Sequence, residues 1–494
     1  MPKYTLKKKL KIRNKRRSNK KTYNRKTYNR KTHNSKKRKT RKLLKKGGDI
    51  MYYSAPGAKD MWRAETPTDN LICLDDNKVC LAFGDVSDHV RDFFDGFVRF
   101  NFAKKVIKRI GNPSENGFVF EIENETRGYT AFSVLKSAQE PTSDNLMYEY
   151  HVGLYVNKLN KLYPCFVETY GLFKYRNEHQ WTLFKDVPEK KIVNLHALQQ
   201  ALDEQPLDYS IGCTSSKYLA VLIQHLPGPK SLDDLSQNTT FNKNELMWAL
   251  FQLYIPLAQL MNNFTHYDLH LGNILMYEPV VGKYIEYHYH FMPTGMGERS
   301  AKTRRTSKTA SRGEEVISFK SSYILKIIDY GRSYFNDVEG RVDAKQIYEQ
   351  ICAEGACNSD DTCGSSYGLS WLADDSDDPE SSFYISSQHK NISHDLVPLT
   401  RIYEKYKAKT ILLTPELVEL GEKVLYEGYY GTGEKLSSGY PAKINNVQDA
   451  ATYIMDCIQR PDYRAHNNAV NRTKDKLGDL HIYMDGSRPM EYTF

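Results

Sequence analysis

The chain has 494 residues and a formal charge of +10, with 70 Lys and Arg against 60 Asp and Glu. Residues 1–48 hold 23 of those bases and no acid, so the other 446 residues carry 47 bases against 60 acids, a balance of −13. This describes an acidic globular body with a basic arm; 40% apolar residues exclude global disorder, and no apolar run approaches the roughly 18 residues that span a bilayer.

The arm repeats a five-residue unit, Thr22–Lys26, Thr27–Lys31 and Thr32–Lys36. Five does not match the 3.6-residue helical period, and apolar residues are scarce. A disordered segment is expected, because it buries too little to offset its ordering entropy. Its chemistry suits contact with nucleic acid or another polyanion, with nuclear targeting as an equal reading and a solvated tail without a partner as the third. No apolar stretch follows the first basic residues, so no secretory signal and an intracellular location are expected.

Gly47-Gly48 reads as a hinge, and 49–104 as an ordered lead-in containing Leu71, Ile72, Val79, Leu81 and Phe83. Strand-like runs follow at 106–110, 118–122 and 129–135, the last two joined by a polar turn at Gly128. Residues 146–162 have helical spacing, and 217–225 form an apolar strand ending at Pro227-Gly228-Pro229. The segment 245–262 reads as a strong helix, with Leu246, Leu250, Leu253, Leu257 and Leu260 at three- and four-residue steps. Short strands at 274–276 and 324–328 flank an insertion, 278–322, whose Arg304-Arg305-Thr306-Ser307 suits a basophilic kinase acceptor or an unmodified loop. A second irregular region, 353–380, is acidic. Helices are expected at 393–406, 415–426 and 447–458, then an extended tail. The eight cysteines are scattered. Only Cys352, Cys357 and Cys363 cluster, without a CxxC pair or a nearby His, so reduced thiols are expected over a zinc site.

Two segments carry chemistry. In His266-Tyr267-Asp268-Leu269-His270-Leu271-Gly272-Asn273-Ile274-Leu275, Asp and Asn five residues apart suit phosphoryl transfer: Asp268 to accept a hydroxyl proton, Asn273 to reach a metal held by phosphates. His266 reads as a satisfied core residue that props the loop. In Leu325-Lys326-Ile327-Ile328-Asp329-Tyr330-Gly331-Arg332, an apolar strand ends in an acid able to hold Mg²⁺.

Together they resemble the catalytic loop and the metal-binding D-F-G motif of the protein kinase family, with Tyr330 in place of Phe. That resemblance implies further residues upstream. Lys136 would position the ATP phosphates and Glu149 would position Lys136. Gly111, Ser114 and Gly117 would lie in the phosphate-covering loop, which departs from G-x-G-x-x-G. Val119 would cap the adenine. The backbone of Gln224, His225 and Leu226 would meet the adenine edge behind Ile223. Asp395 resembles the buried acid that holds the catalytic loop. Tyr267 replaces the Arg that pairs with a phosphorylated activation loop, and His270 replaces the Lys that contacts the γ-phosphate. No Ala-Pro-Glu motif follows. The arm and these motifs together resemble the serine/threonine kinases assigned to large nucleocytoplasmic DNA viruses, over about residues 105–410.

The expectation is an α+β, bilobal, protein-kinase-like fold. The basic arm, 1–48, and the lead-in, 49–104, precede a small β-rich lobe to the hinge at 105–226. A larger helical lobe follows at 227–410, with insertions at 278–322 and 353–380, then an extension at 411–494. The implied activity is transfer of the ATP γ-phosphoryl to protein Ser/Thr hydroxyls. Asp268 would be the base, Lys136 and Glu149 would act with it, and Asn273 and Asp329 would hold Mg²⁺ or Mn²⁺. Alternatives are a small-molecule phosphotransferase of the aminoglycoside- or choline-kinase kind and a non-catalytic scaffold. A protein substrate, no membrane, and residence in host cytoplasm, virion or nucleus complete the reading.

Overall fold

A computed structural model describes residues 52–54, 72–74, 79–97, 100–110, 117–126, 129–138, 146–188, 191–204, 218–291, 315–351, 370–373, 383–426 and 443–493. The basic arm, Gly111, Ser114, the Arg304–Ser307 motif and the Cys352, Cys357, Cys363 cluster lie outside them. All described residues belong to one unit, Lys45–Phe494.

The amino-terminal half is built on one nine-stranded sheet. Its strands are β1 (Tyr52–Ser54), β2 (Ile72–Leu74), β3 (Val79–Leu81), β4 (Ala103–Ile110), β5 (Gly117–Thr126), β6 (Tyr129–Ala138), β7 (Thr169–Tyr175), β8 (Leu202–Glu204) and β9 (Leu219–Gln224). The expected hairpin is β5–β6, closing at Thr126 opposite Tyr129. One edge of β6 is shared, its first residues pairing β1 and its later ones β9.

The sheet separates two cores. Phe118, Phe120, Ile122, Leu135 and Leu222 face a cluster with α1 (Asp85–Phe93), α3 (Glu178–Lys185) and α4 (Leu195–Ala201). Residues one step along the strands face the opposite way, as the pleat requires. There Val221 joins the larger core, which includes α2 (Leu146–Asn160). Helix α2 is buried on most of its circumference, unlike an amphipathic surface helix. Gly153 lets it approach β7, since a Cβ there would overlap Thr169.

The carboxy-terminal half is mainly helical around the expected long helix, here α7 (Leu246–Leu260), preceded by α5 (Leu232–Ser236) and α6 (Thr239–Asn244). Helices α8 (Ala344–Ile351), α9 (Val397–Lys407), α10 (Pro415–Lys423), α11 (Val447–Ile458) and α12 (Pro461–Val470) follow. Helix α7 is almost wholly buried and packs on α11. Small sheets supply the loops: β10 (Lys230–Ser231), β12 (Ile274–Tyr277) and β15 (Ile324–Ile327) form one, and β11 (Phe264–Thr265), β16 (Tyr334–Asp337) and β17 (Val342–Asp343) another. The architecture is mixed α+β, with a sheet-rich first half and a helical second half, consistent with a kinase-like bilobal fold.

Three regions differ from the sequence expectation. The ends of the 278–322 insertion are strands, β13 (Lys283–Phe291) and β14 (Glu315–Ser321), paired antiparallel. The tail is not merely extended: after α12, β20 (Asp475–Tyr483) lies parallel to β13 and pairs with β21 (Glu491–Thr493). Periodicity along one segment carries no information about a partner nearly 200 residues away. Inside 353–380, expected to be irregular, β18 (Ser370–Ala373) is a strand that pairs β19 (Phe383–Ser386). Among the described residues no helix is long and apolar enough to cross a membrane.

Candidate active site

The antiparallel pair β12–β15 brings the two motifs together. Ile274 lies opposite Ile327, and the Ile328 N–H donates to the Asn273 carbonyl at 3.0 Å. Asp329 therefore emerges beside the 266–273 loop although Asn273 and Ile328 are 55 positions apart in the chain. Asp329 and Tyr267 both have positive φ, +70° and +63°. Such left-handed backbone in non-glycine residues costs energy and persists where surrounding contacts over-determine it.

Those contacts are visible. Asp395 accepts the backbone N–H of His266 at 2.8 Å and of Tyr267 at 3.2 Å. Burial raises the Asp395 carboxyl to about 7, against the pull of those two N–H donors. The His266 ring is fully buried. Its Nδ1 accepts the Asp268 N–H at 3.2 Å, and its Nε2 lies 3.0 Å from the Ile328 carbonyl. The network assigns the proton to Nε2, and burial holds the ring neutral, with a pKa lowered to about 4. His266 thus props the loop. Tyr267, at the position where an Arg was expected by resemblance, is buried against His394, and its hydroxyl donates to the His389 carbonyl at 2.7 Å.

Asn273 donates its side-chain N–H to the Asp268 carbonyl at 2.9 Å and to Asp268 Oδ2 at 3.2 Å. This fixes the side-chain amide and turns its oxygen, Oδ1, away from Asp268. On the other side of Asp268, Arg332 Nη1 lies 3.6 Å from Oδ1.

Lys136 lies in the interior of β6, opposite Val119 on β5 and Val221 on β9. Directly opposed residues share a face, so Val119 and Ile223, the latter opposite Val134, stand on the Lys136 side. Lys136 Nζ is 2.9 and 2.8 Å from the two Glu149 oxygens on α2 and 2.7 Å from Asp329 Oδ1. Burial alone would lower the lysine pKa, but the Asp329 and Glu149 carboxylates raise it well above the ordinary value. The same ammonium outweighs burial at Asp329 and lowers its pKa.

Gly117 begins β5, where a Cβ would meet the Ser137 carbonyl at 2.6 Å. Gln224 ends β9, and its N–H donates to the Glu168 carbonyl at 2.9 Å, so this amide is engaged internally. His225 and Leu226 follow it, both buried. Tyr330 turns inward: its hydroxyl donates to the Ile327 carbonyl at 2.7 Å and accepts the Val167 N–H at 2.9 Å. Beside the loop, Ser231, Asp233, His270, Gly272, Arg401 and Glu404 line part of an open cavity of about 560 Å³.

The structure therefore brings Lys136, Glu149, Asp268, Asn273 and Asp329 to one place. It adds Arg332, a neighbour of Asp268 given no role by the sequence reading, although it directly follows Asp-Tyr-Gly.

No family model matches the chain, and no curated protein matches it. Among solved structures, a crystal structure of a kinase domain is similar with 15% identity and a TM-score of 0.23. The match covers 52% of this chain and 60% of that one, less than two thirds of that domain's length. No residue role is carried over from it.

Proposed function

We propose that this protein is an ATP-dependent protein kinase that transfers the γ-phosphoryl group to Ser or Thr hydroxyls. The observation that carries the reading is the buried ion triad, in which one ammonium bridges Glu149 and Asp329 beside the Asp268–Asn273 loop.

Lys136, oriented by Glu149, binds the ATP phosphates. The backbone after Gln224 meets the adenine through His225 and Leu226, and Val119 covers the ring. Asp268 accepts the proton of the acceptor hydroxyl as its oxygen bonds to the γ-phosphorus. The bond from that phosphorus to the bridging oxygen breaks, and ADP leaves with the electron pair. Arg332 places positive charge beside Asp268, where negative charge on the transferring group develops. The Asp329 carboxylate and the Asn273 side-chain amide oxygen, the one turned away from Asp268, are hard oxygen donors that fit Mg²⁺ or Mn²⁺. Bound with ATP, such an ion would supply neutralisation of phosphate charge.

The test is incubation of purified protein with radiolabelled ATP, Mg²⁺ and generic basic proteins, beside Asp268→Asn and Asp329→Ala. Label on protein Ser or Thr that both variants lose is expected. Turnover without protein labelling would favour a small-molecule acceptor. Absence of any turnover would favour a scaffold.

A further inference from the structure

The outer face of the β13–β20 pair carries a cluster that phosphoryl transfer does not use. Alternation along β13 buries Ile285, Tyr287 and Tyr289, and along β20 it buries Leu480 and Ile482. The intervening residues, Glu286 and His288 on β13 and Asp479 and His481 on β20, therefore share the opposite, partly exposed face. Register places Glu286 beside Asp479 and His288 beside His481.

Donor atoms of Glu286, His288 and Asp479 lie within 4.8 Å of one another. His288 Nε2 is 2.8 Å from Asp479 Oδ1. Ligand atoms on a first-row cation, with bonds of about 2.0–2.2 Å, stand roughly 3 Å apart, so this pair is already near that spacing. The third donor comes in by side-chain rotation on an accessible surface. The other imidazole nitrogen, Nδ1, is 2.8 Å from the Ser318 hydroxyl on β14. With Nε2 on a metal, Nδ1–H would donate to that hydroxyl and hold the ring's orientation. The site also draws positive charge: Lys476 Nζ sits 2.8 Å from Glu286 Oε2 and 2.6 Å from Asp479 Oδ1.

We propose that Glu286, His288 and Asp479 form a binding site for a divalent first-row transition cation of the Zn²⁺ class, with Lys476 as its competitor. An imidazole with two carboxylates suits such an ion. The site joins the insertion between the two motif-bearing strands to the carboxy-terminal strand, so occupancy clamps β13 against β20. It is independent of the phosphotransfer reading.

The experiment uses the full chain, stripped with a chelator and titrated with Zn²⁺ by calorimetry in excess Mg²⁺, with thermal unfolding alongside. Wild type is expected to bind Zn²⁺ and melt higher. His288→Ala and Asp479→Asn should each weaken that binding about tenfold or more. Lys476→Met should tighten it, and Asp329→Asn should leave it unchanged. Co²⁺ in place of Zn²⁺ should give a spectrum without a thiolate charge-transfer band. No Zn²⁺ binding by wild type, unchanged affinity in the His288→Ala/Asp479→Asn double variant, or a thiolate band would overturn the proposal.

Discussion

Lys136 and Asp329 are 193 positions apart in the chain and 2.7 Å apart in space, with the lysine also clasped by both oxygens of Glu149. One ammonium balances two carboxylates in a largely buried place. Removing it in Lys136→Met leaves two acids facing each other. We expect loss of about 3–5 kcal/mol of stability and a fall in ATP turnover of about a hundredfold or more. Denaturant unfolding and a steady-state ATPase assay check the two effects separately.

Tyr330 departs from the residue the motif resemblance implies, and its hydroxyl accounts for the departure. It bonds the Ile327 carbonyl and the Val167 N–H. Tyr330→Phe installs the residue that the motif resemblance implies yet orphans a buried N–H. A destabilisation of about 1–3 kcal/mol is expected, with turnover largely kept. An unchanged melting temperature would show that the hydroxyl contributes nothing.

His266 is neutral in the fold, its pKa lowered to about 4 by burial, against about 6.5 in an unfolded chain. A lowered folded value means the unfolded state takes up the proton first. The associated stability is complete above about 6.5 and is withdrawn as the pH falls through about 4. Protonating Nδ1 also removes the acceptor of the Asp268 N–H. Melting temperature measured from pH 7 to pH 4 should fall more steeply in wild type than in His266→Asn.

Arg332 lies 3.6 Å from Asp268, at the edge of ion-pair range. If it stabilises charge in the transition state, Arg332→Gln lowers kcat by about tenfold to a hundredfold and leaves KM for ATP near its wild-type value. A change confined to KM would assign it to nucleotide binding instead.

Residues 1–48 carry 23 bases and no acid. Deleting them should leave ATP turnover intact and flatten the dependence of DNA or RNA binding on salt, because fewer phosphate counterions are released. An unchanged salt slope would remove the polyanion role.

Much of the candidate site was legible because its chemistry is local. The five-residue Asp268–Asn273 spacing, the strand before Asp329 and the helix before His266 each depend on neighbours in the chain. So did the hairpin that carries Lys136, whose apolar runs flank a polar turn. The long helix α7 was equally plain, although burial on nearly all sides is a property of its surroundings.

What the sequence determined by itself is the set of residue types, their order and the elements that bear them, since periodicity and turn chemistry act over a few residues. The charge asymmetry between arm and body is of the same kind. Tertiary structure alone decided pairings between distant segments such as Lys136 with Asp329, Arg332 beside Asp268, and β20 along β13. These contacts rest on loop closure and on which faces are buried together. A strand's sequence states that it has a face to bury; only the folded chain states against what.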